Sequence, residues 1–201
     1  MLQLLLILIS SCHEGHDIKM ISKKDEHSIG IEINQRLKNK AAEIKTFNTN
    51  HPIFNNDFIF LIDMRIPSMQ NRFFVYNLAS GKVVDKGLVA HGYGSEIEGS
   101  ERLRFSNIEG SNCSAIGKYK VGNSYLGRFG LAYKLHGLDS TNSNSFKRNI
   151  VLHRYWRVPE EEQTDPIYNS LGCPMVSENF FFRLEKIIGN ATKPTLLYMY
   201  Y

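Results

Sequence analysis

The chain has 201 residues, of which 42% are hydrophobic and 22% charged. That is too apolar for a disordered polypeptide and long enough for one well-filled domain with a short extension. Its net charge is +4, and the 24 basic and 20 acidic residues are scattered along it, so no nucleic-acid footprint is concentrated anywhere. Three cysteines are too few for a disulfide scaffold, and each needs its own account.

The chain opens with Leu4-Leu5-Leu6-Ile7-Leu8-Ile9, then Ser10-Ser11-Cys12. This run is far short of the ~20 apolar residues of a membrane span and matches the apolar region of a secretory signal. Ile9-Ser10-Ser11-Cys12 resembles a bacterial lipobox, in which the cysteine is lipidated and becomes the mature N-terminus. Two or more acyl chains suffice for stable anchoring. Residues 1–12 are therefore expected to be a lipoprotein-type signal ending at lipidated Cys12, with the chain on a membrane of the bacterial envelope and facing the periplasm. No Lys or Arg precedes the run, which an ordinary signal would carry, and a frayed apolar strand is the alternative.

Residues 13–52 are polar. Ile29, Ile33, Leu37 and Ala41 recur every four residues and predict a helix over 28–47, either a docking helix within a tether or an amphipathic helix lying on the domain. His13 and His16 stand three apart, but two histidines in a tether make a poor metal site. After Pro52 the pattern becomes short β-type runs. Strands are predicted over 58–62, 72–76, 83–91, 116–121, 132–136, 149–153 and 195–200 from β-branched and aromatic content, with a hairpin turn at Ala79-Ser80-Gly81-Lys82. One helix is clear: Ser177 is its N-cap, Phe180, Phe181, Leu184, Ile187 and Ile188 repeat with a 3.6 period, and Gly189 is the expected stop. Many short strands with one or two helices predict a mainly-β sandwich or barrel spanning residues 53–201.

Two residues carry possible chemistry. His153 ends the apolar run Asn149-Ile150-Val151-Leu152, and Cys173 lies twenty residues later in Ser170-Leu171-Gly172-Cys173-Pro174. A thiol needs a base or an electropositive setting to act as a nucleophile near neutral pH. Gly172 would let backbone N–H groups approach an oxyanion, and the helix starting after Ser177 would add its dipole if its axis pointed at the sulfur. Taken by themselves, the two residues are as compatible with a packed thiol and a satisfied core histidine.

The wider pattern is more specific. Leu135-His136-Gly137-Leu138, Arg148-Asn149-Ile150-Val151-Leu152-His153 and Ser170-Leu171-Gly172-Cys173-Pro174 resemble the L,D-transpeptidase (YkuD-like) catalytic domain, in its murein L,D-transpeptidase variant. Val89-Ala90-His91-Gly92, Phe105-Ser106-Asn107 and Ser114-Ala115-Ile116-Gly117-Lys118-Tyr119 are similar to that variant too, so the resemblance covers roughly residues 57–201. It implies an L,D-transpeptidase-like β fold with Cys173 as nucleophile and His153 as general base. Ser170 and Gly172 would frame the motif whose backbone holds the oxyanion. It also implies that the third residue of a peptidoglycan stem tetrapeptide is acylated onto the cysteine and D-alanine released. An amine, or water, then resolves the thioester, with no metal or organic cofactor. Three positions depart from the commoner motif: Leu171 where a histidine is usual, Arg154 where a small residue is usual, and Pro174-Met175 after the cysteine.

Around this pair, His136 is a candidate pocket donor or a strand-end cap, and His91 is expected to be structural. Arg148, Arg154 and Arg157 cluster about His153, and a guanidinium can grip a stem carboxylate with two hydrogen bonds, although solvated strand-end charge is the plainer reading. Cys173, His153, His136 and His91 lack zinc-type spacing, and Cys113 is expected to pack near a turn. The loop over 159–169 is long enough for a lid. The expected partners are peptidoglycan stem peptides and, through the lipid, a membrane, with no nucleic acid. The alternatives are an L,D-carboxypeptidase, a wall-binding lipoprotein without turnover, and a cysteine hydrolase of another substrate.

Overall fold

The computed structural model describes residues 23–201; Cys12, His13 and His16 lie outside the described residues. Helix α1 (Lys23–Asn50) is longer than its apolar spacing predicts. The chain divides into two compact units, with the break between Gln35 and Arg36 inside this helix. From Arg36 onward α1 belongs with the strands. Leu37, Ala41, Ile44 and Asn48 are buried, and the Arg36 guanidinium donates to Asp63 at 2.7 Å. Lys40 Nζ lies 5.1 Å and 5.6 Å from the Tyr198 and Tyr200 rings. Between the two readings of this segment, residues 36–50 are a helix packed on the domain.

The strands are β1 (Phe58–Asp63), β2 (Phe73–Asn77), β3 (Lys82–Gly87), β4 (Glu96–Ile97), β5 (Ser100–Leu103), β6 (Gly117–Gly127), β7 (Gly130–Gly137), β8 (Val151–Arg154), β9 (Met175–Val176) and β10 (Leu196–Tyr200); helix α2 (Glu178–Asn190) precedes β10. Eight strands form one mixed sheet in the order β3-β2-β1-β10-β6-β7-β8-β9, and β4-β5 is a separate hairpin. The edges of the large sheet meet. Val89, just past β3, bridges Val176 of β9, and the Ala90 N–H donates to the Met175 carbonyl at 2.8 Å. The two edges are joined only at this point, since β3 itself pairs with β2 alone, and the mainly-β expectation holds with two helices.

Period-two alternation explains how the barrel fills. Register pairs Phe60 with Val75 and Leu197, Leu197 with Tyr119, Val121 with Leu135, and Tyr133 with Leu152. These side chains form one buried cluster, joined by Phe180, Phe181 and Leu184 of α2. Phe180 meets Phe73 edge-on at 5.1 Å. Ser177 caps α2, its side chain accepting from the Phe180 N–H. The helix runs through Gly189 to Asn190 and ends at Ala191, which has ordinary extended dihedrals, so Gly189 is not the stop its type predicts. The short strands β4, β5 and β9 escape prediction because two to four residues carry no legible period.

Candidate active site

Strand pairing brings the two halves of the motif together. Strands β8 and β9 run parallel with His153 opposite Met175, and Cys173 stands two residues before Met175. The preceding turn is tightly built. The Gly172 N–H donates to Ser170 Oγ at 3.0 Å. The Ser170 N–H donates to the His91 carbonyl, and the Ser170 carbonyl accepts from the Tyr93 N–H, each at 2.8 Å. Gly172 has φ +116°, and a Cβ there would stand 2.8 Å from the Cys113 carbonyl oxygen. Only glycine suits both constraints. Ser170 and Gly172 therefore shape the turn, and the Gly172 N–H is committed to Ser170 rather than to an oxyanion.

The Cys173 thiol donates to the Asn149 carbonyl at 3.7 Å. Burial pushes its pKa up from 9.0, while the Val151 backbone amide and the charges of Arg148 and Lys134 pull it down. His153 is buried, which pushes its pKa below 6.5, the Arg154 carbonyl opposing the shift. Its Nδ1 lies 2.9 Å from that carbonyl. A carbonyl can only accept, so Nδ1 carries the proton and Nε2 of the neutral ring is left as the base nitrogen. Phe129 stacks on the imidazole at 5.3 Å and 14°. At rest the pair is a neutral thiol and a neutral, oriented imidazole.

The other expected site residues divide. Arg148 donates to the Ser106 carbonyl at 2.7 Å and the Cys113 carbonyl at 2.6 Å, and its Nη2 lies 3.4 Å from Ser111 Oγ; it braces the loop behind Gly172. Arg154, next to His153 and so on the opposite strand face, lies 3.6 Å from Glu178 and 5.0 Å from the Phe182 ring. Arg157 sits between the Trp156 and Tyr168 rings, at 4.8 Å and 5.2 Å. All three are engaged by the protein itself. His136 shares the β7 face of Ala132, the register partner of His153, and stacks on Phe146 at 5.0 Å. Burial and the charges of Lys120 and Lys134 hold its pKa below 6.5. His91 pairs with Arg72 instead, and among the described residues no three His, Cys, Asp or Glu side chains cluster as metal ligands do. Cys113 and Cys173 are both free thiols.

Two other expectations are corrected. Glu160 accepts from Ser177 Oγ at 2.6 Å and from the Asn179 N–H at 2.9 Å, so the positive end of α2 is spent on that carboxylate rather than on the sulfur. The loop over 159–169 is pinned by Glu160, by Glu162 accepting from the Asn71 N–H at 2.9 Å, and by the Gln163 N–H donating to Met69 at 3.0 Å. It is a strap, not a lid.

Two residues beside the thiol were missed. Lys134 is the register partner of Val151, and its Nζ donates to Asn149 Oδ1 at 3.2 Å and lies 4.8 Å from the Tyr125 ring. Asn149 itself has φ +56°, a left-handed conformation that asparagine tolerates, and this turns its carbonyl to the thiol. A signal for Lys134 was present: Ala132, Lys134 and His136 have one parity and so one strand face.

A family model described as L,D-transpeptidase catalytic domain matches residues 31–200. No curated protein matches. Among solved structures, the chain is similar to an L,D-transpeptidase of Xylanimonas cellulosilytica (15% identity, 73% of this chain and 61% of that one, TM-score 0.42). It is also similar to the helical cell shape determining protein of Campylobacter jejuni (15%, 72% and 47%, 0.47) and to an L,D-transpeptidase of Mycobacterium smegmatis (10%, 72% and 59%, 0.43). The chain spans about half to three-fifths of the length of these proteins. The assignment to a family rests on the match over residues 31–200.

Proposed function

The chain belongs to the L,D-transpeptidase catalytic domain family, and from that premise we propose that it transfers the acyl group of a peptidoglycan stem tetrapeptide through a thioester on Cys173. The observation that carries this reading is the contact of His153 Nδ1 with the Arg154 carbonyl, which sets the tautomer. With Nδ1–H held by the Arg154 carbonyl at 2.9 Å, Nε2 is the nitrogen left to take a proton.

His153 Nε2 accepts the thiol proton as Sγ bonds to the carbonyl carbon of the third stem residue. With the thiol pKa raised by burial, deprotonation accompanies attack rather than preceding it. The oxyanion is held by the Cys173 backbone N–H, since that of Gly172 is taken by Ser170. The tetrahedral adduct expels the D-alanine amine, which takes the proton from His153. An acceptor amine then attacks the thioester and loses a proton to His153, and the sulfur leaves and is reprotonated. Lys134 is the cation we assign to the D-alanine carboxylate, because its charge acts on Cys173 and its hydrogen bond is a single one to the neutral Asn149 amide at 3.2 Å. Arg148, by contrast, is bound to two backbone carbonyls and Arg154 lies against Glu178. Water in place of the amine gives carboxypeptidase activity.

The test is the intact mass of the protein after incubation with a disaccharide tetrapeptide, with products analysed in parallel. A thioester adduct with D-alanine release is expected, absent in Cys173→Ala and strongly reduced in His153→Ala. A dimer product identifies the amine as acceptor and a tripeptide product water. A folded protein that binds peptidoglycan without adduct or product would make it a wall-binding module. We also propose attachment to an envelope membrane through lipidated Cys12, supported by the lipobox resemblance; fatty-acid labelling should disappear in Cys12→Ala.

A further inference from the structure

On the far side of the Cys173 turn lies a cavity of about 1040 Å³, beneath the β4–β5 hairpin. Two buried groups form part of its wall. Arg72, only 1% exposed, donates to the carbonyls of Val89 (2.9 Å and 2.7 Å) and Ile66 (3.2 Å) and contacts His91 Nδ1 at 2.9 Å. Its acceptors are neutral. The nearby buried carboxylate, Asp63, is bonded to Arg36 instead. A buried cation without a contacting anion is costly.

The second group follows from the first. Guanidinium N–H groups only donate, so His91 Nδ1 must accept and the ring proton lies on Nε2. That buried Nε2–H finds no hydrogen-bond partner among the described residues. What it faces is Glu96 of the hairpin, at 3.6 Å, beyond hydrogen-bonding distance and drawn off by Asn169, which donates to the same oxygen at 2.6 Å. The floor of the cavity thus combines a guanidinium whose contacts are all neutral, with only the charge of Asp63 acting on it from beyond hydrogen-bonding distance, and an unused donor from which Glu96 stops short.

We propose that this cavity is a second binding site, for a short peptide with a free carboxylate. The ligand carboxylate displaces Glu96, accepts from His91 Nε2–H and lies against the Arg72 charge. The rim has both signs, exposed Arg65 and Arg102 with Glu98 and Glu101, which suits a peptide bearing an amine as well as carboxylates. A lone phosphate would leave most of such a volume unfilled. The anion site stands on the cavity alone; its identification with a stem peptide rests on the transpeptidase reading. The site is one residue from the nucleophile turn, since the His91 carbonyl accepts from Ser170 and a Cβ on Gly92 would lie 2.8 Å from Gly172 Cα. Peptide bound there is placed to bias the geometry of Cys173.

The experiment is a titration of the ¹⁵N-labelled full chain with L-Ala-γ-D-Glu-diaminopimelate tripeptide, which has no D-alanine to lose, following the His91 imidazole nitrogens by NMR. A saturable shift of Nε2–H is expected. Binding should weaken at least fivefold in the rim double variant Arg65→Ala/Arg102→Ala and tighten in Glu96→Gln, where the internal competitor is removed. No saturable shift overturns the proposal. So does an equal response to the fully amidated tripeptide or to inorganic phosphate, or weaker binding in Glu96→Gln. Because binding is read without turnover, an active enzyme with a silent His91 overturns only this site. A responding His91 in a protein without turnover overturns only the transpeptidase reading.

Discussion

Each of the two residues proposed to react is defined by one backbone contact. His153 holds its proton on the nitrogen facing Arg154, and because burial depresses its pKa below 6.5 the free base persists to lower pH than in an ordinary histidine. The acid limb of the rate of donor acylation should therefore fall below pH 6.5, measured as kcat/KM for D-alanine release. Lys134 is the second cation, after Arg148, whose charge acts on the thiol. Replacing it with methionine removes a charge that pulls the Cys173 pKa down, so alkylation of the thiol by iodoacetamide should need higher pH than in the parent. The same variant should raise KM about tenfold for a donor with a free D-alanine carboxylate, the loss of one charge-assisted hydrogen bond, and leave KM unchanged for the carboxamide. Arginine was the expected carboxylate ligand because of its planar fork. In the folded chain Arg148 uses that fork on backbone carbonyls instead, and no residue-level pattern distinguishes the two uses.

At the scale of elements, α2 and the β8–β9 pair hold the site to the core. Phe180 is 1% exposed and fills the space above Gly87, where a Cβ would lie 2.4 Å from its ring. Phe180→Ala should cost about 3–5 kcal/mol of stability, read by denaturant unfolding. Ser177→Ala should cost less, about 1 kcal/mol, since Glu160 still accepts from the Asn179 N–H. Most of this was legible: the 3.6 period of Phe180, Phe181 and Leu184 and the cap at Ser177 marked α2. The β8–β9 pairing was not. A two-residue strand is too short for a period, and it exists because the motif turn returns the chain beside His153. The hairpin β4–β5 was missed for the same reason, and with it the cavity that it covers.

Across the whole molecule, two buried ionisable arrangements tie stability to pH and to the N-terminal helix. Burial, then the charge of Arg72, lowers the His91 pKa from 6.5 to about 3. The unfolded chain binds that proton more readily than the folded one, so the contribution is fully present above pH 6.5 and is lost as pH falls towards 3. Unfolding free energy should decline over that window by several kcal/mol, and less steeply in His91→Gln. The second arrangement is Arg36 with the fully buried Asp63. Arg36→Ala should cost about 3–5 kcal/mol by leaving a buried carboxylate without its partner. Removing residues 23–50 should cost more, because the helix also buries Leu37, Ala41 and Ile44; thermal melts of the two variants check the order.

What the amino-acid sequence determined alone was whatever rests on local chemistry. The β-branched and aromatic runs between turn residues made a mainly-β domain, sandwich or barrel, and the period and cap of α2 made one helix. The residues of the three segments around His136, His153 and Cys173, in that order, carried the resemblance to the family. Those signals survive without the fold because period, cap and motif residues are read along the chain itself. Tertiary structure decided the rest: the Nδ1 proton of His153, the engagement of Arg148 and Arg154, Lys134 beside the thiol, and the Arg72–His91 wall. The first follows from the strand conformation that turns the Arg154 carbonyl to its neighbour's ring; the others depend on which groups from distant parts of the chain come close to a side chain, and only the folded sheet and its loops bring such groups together.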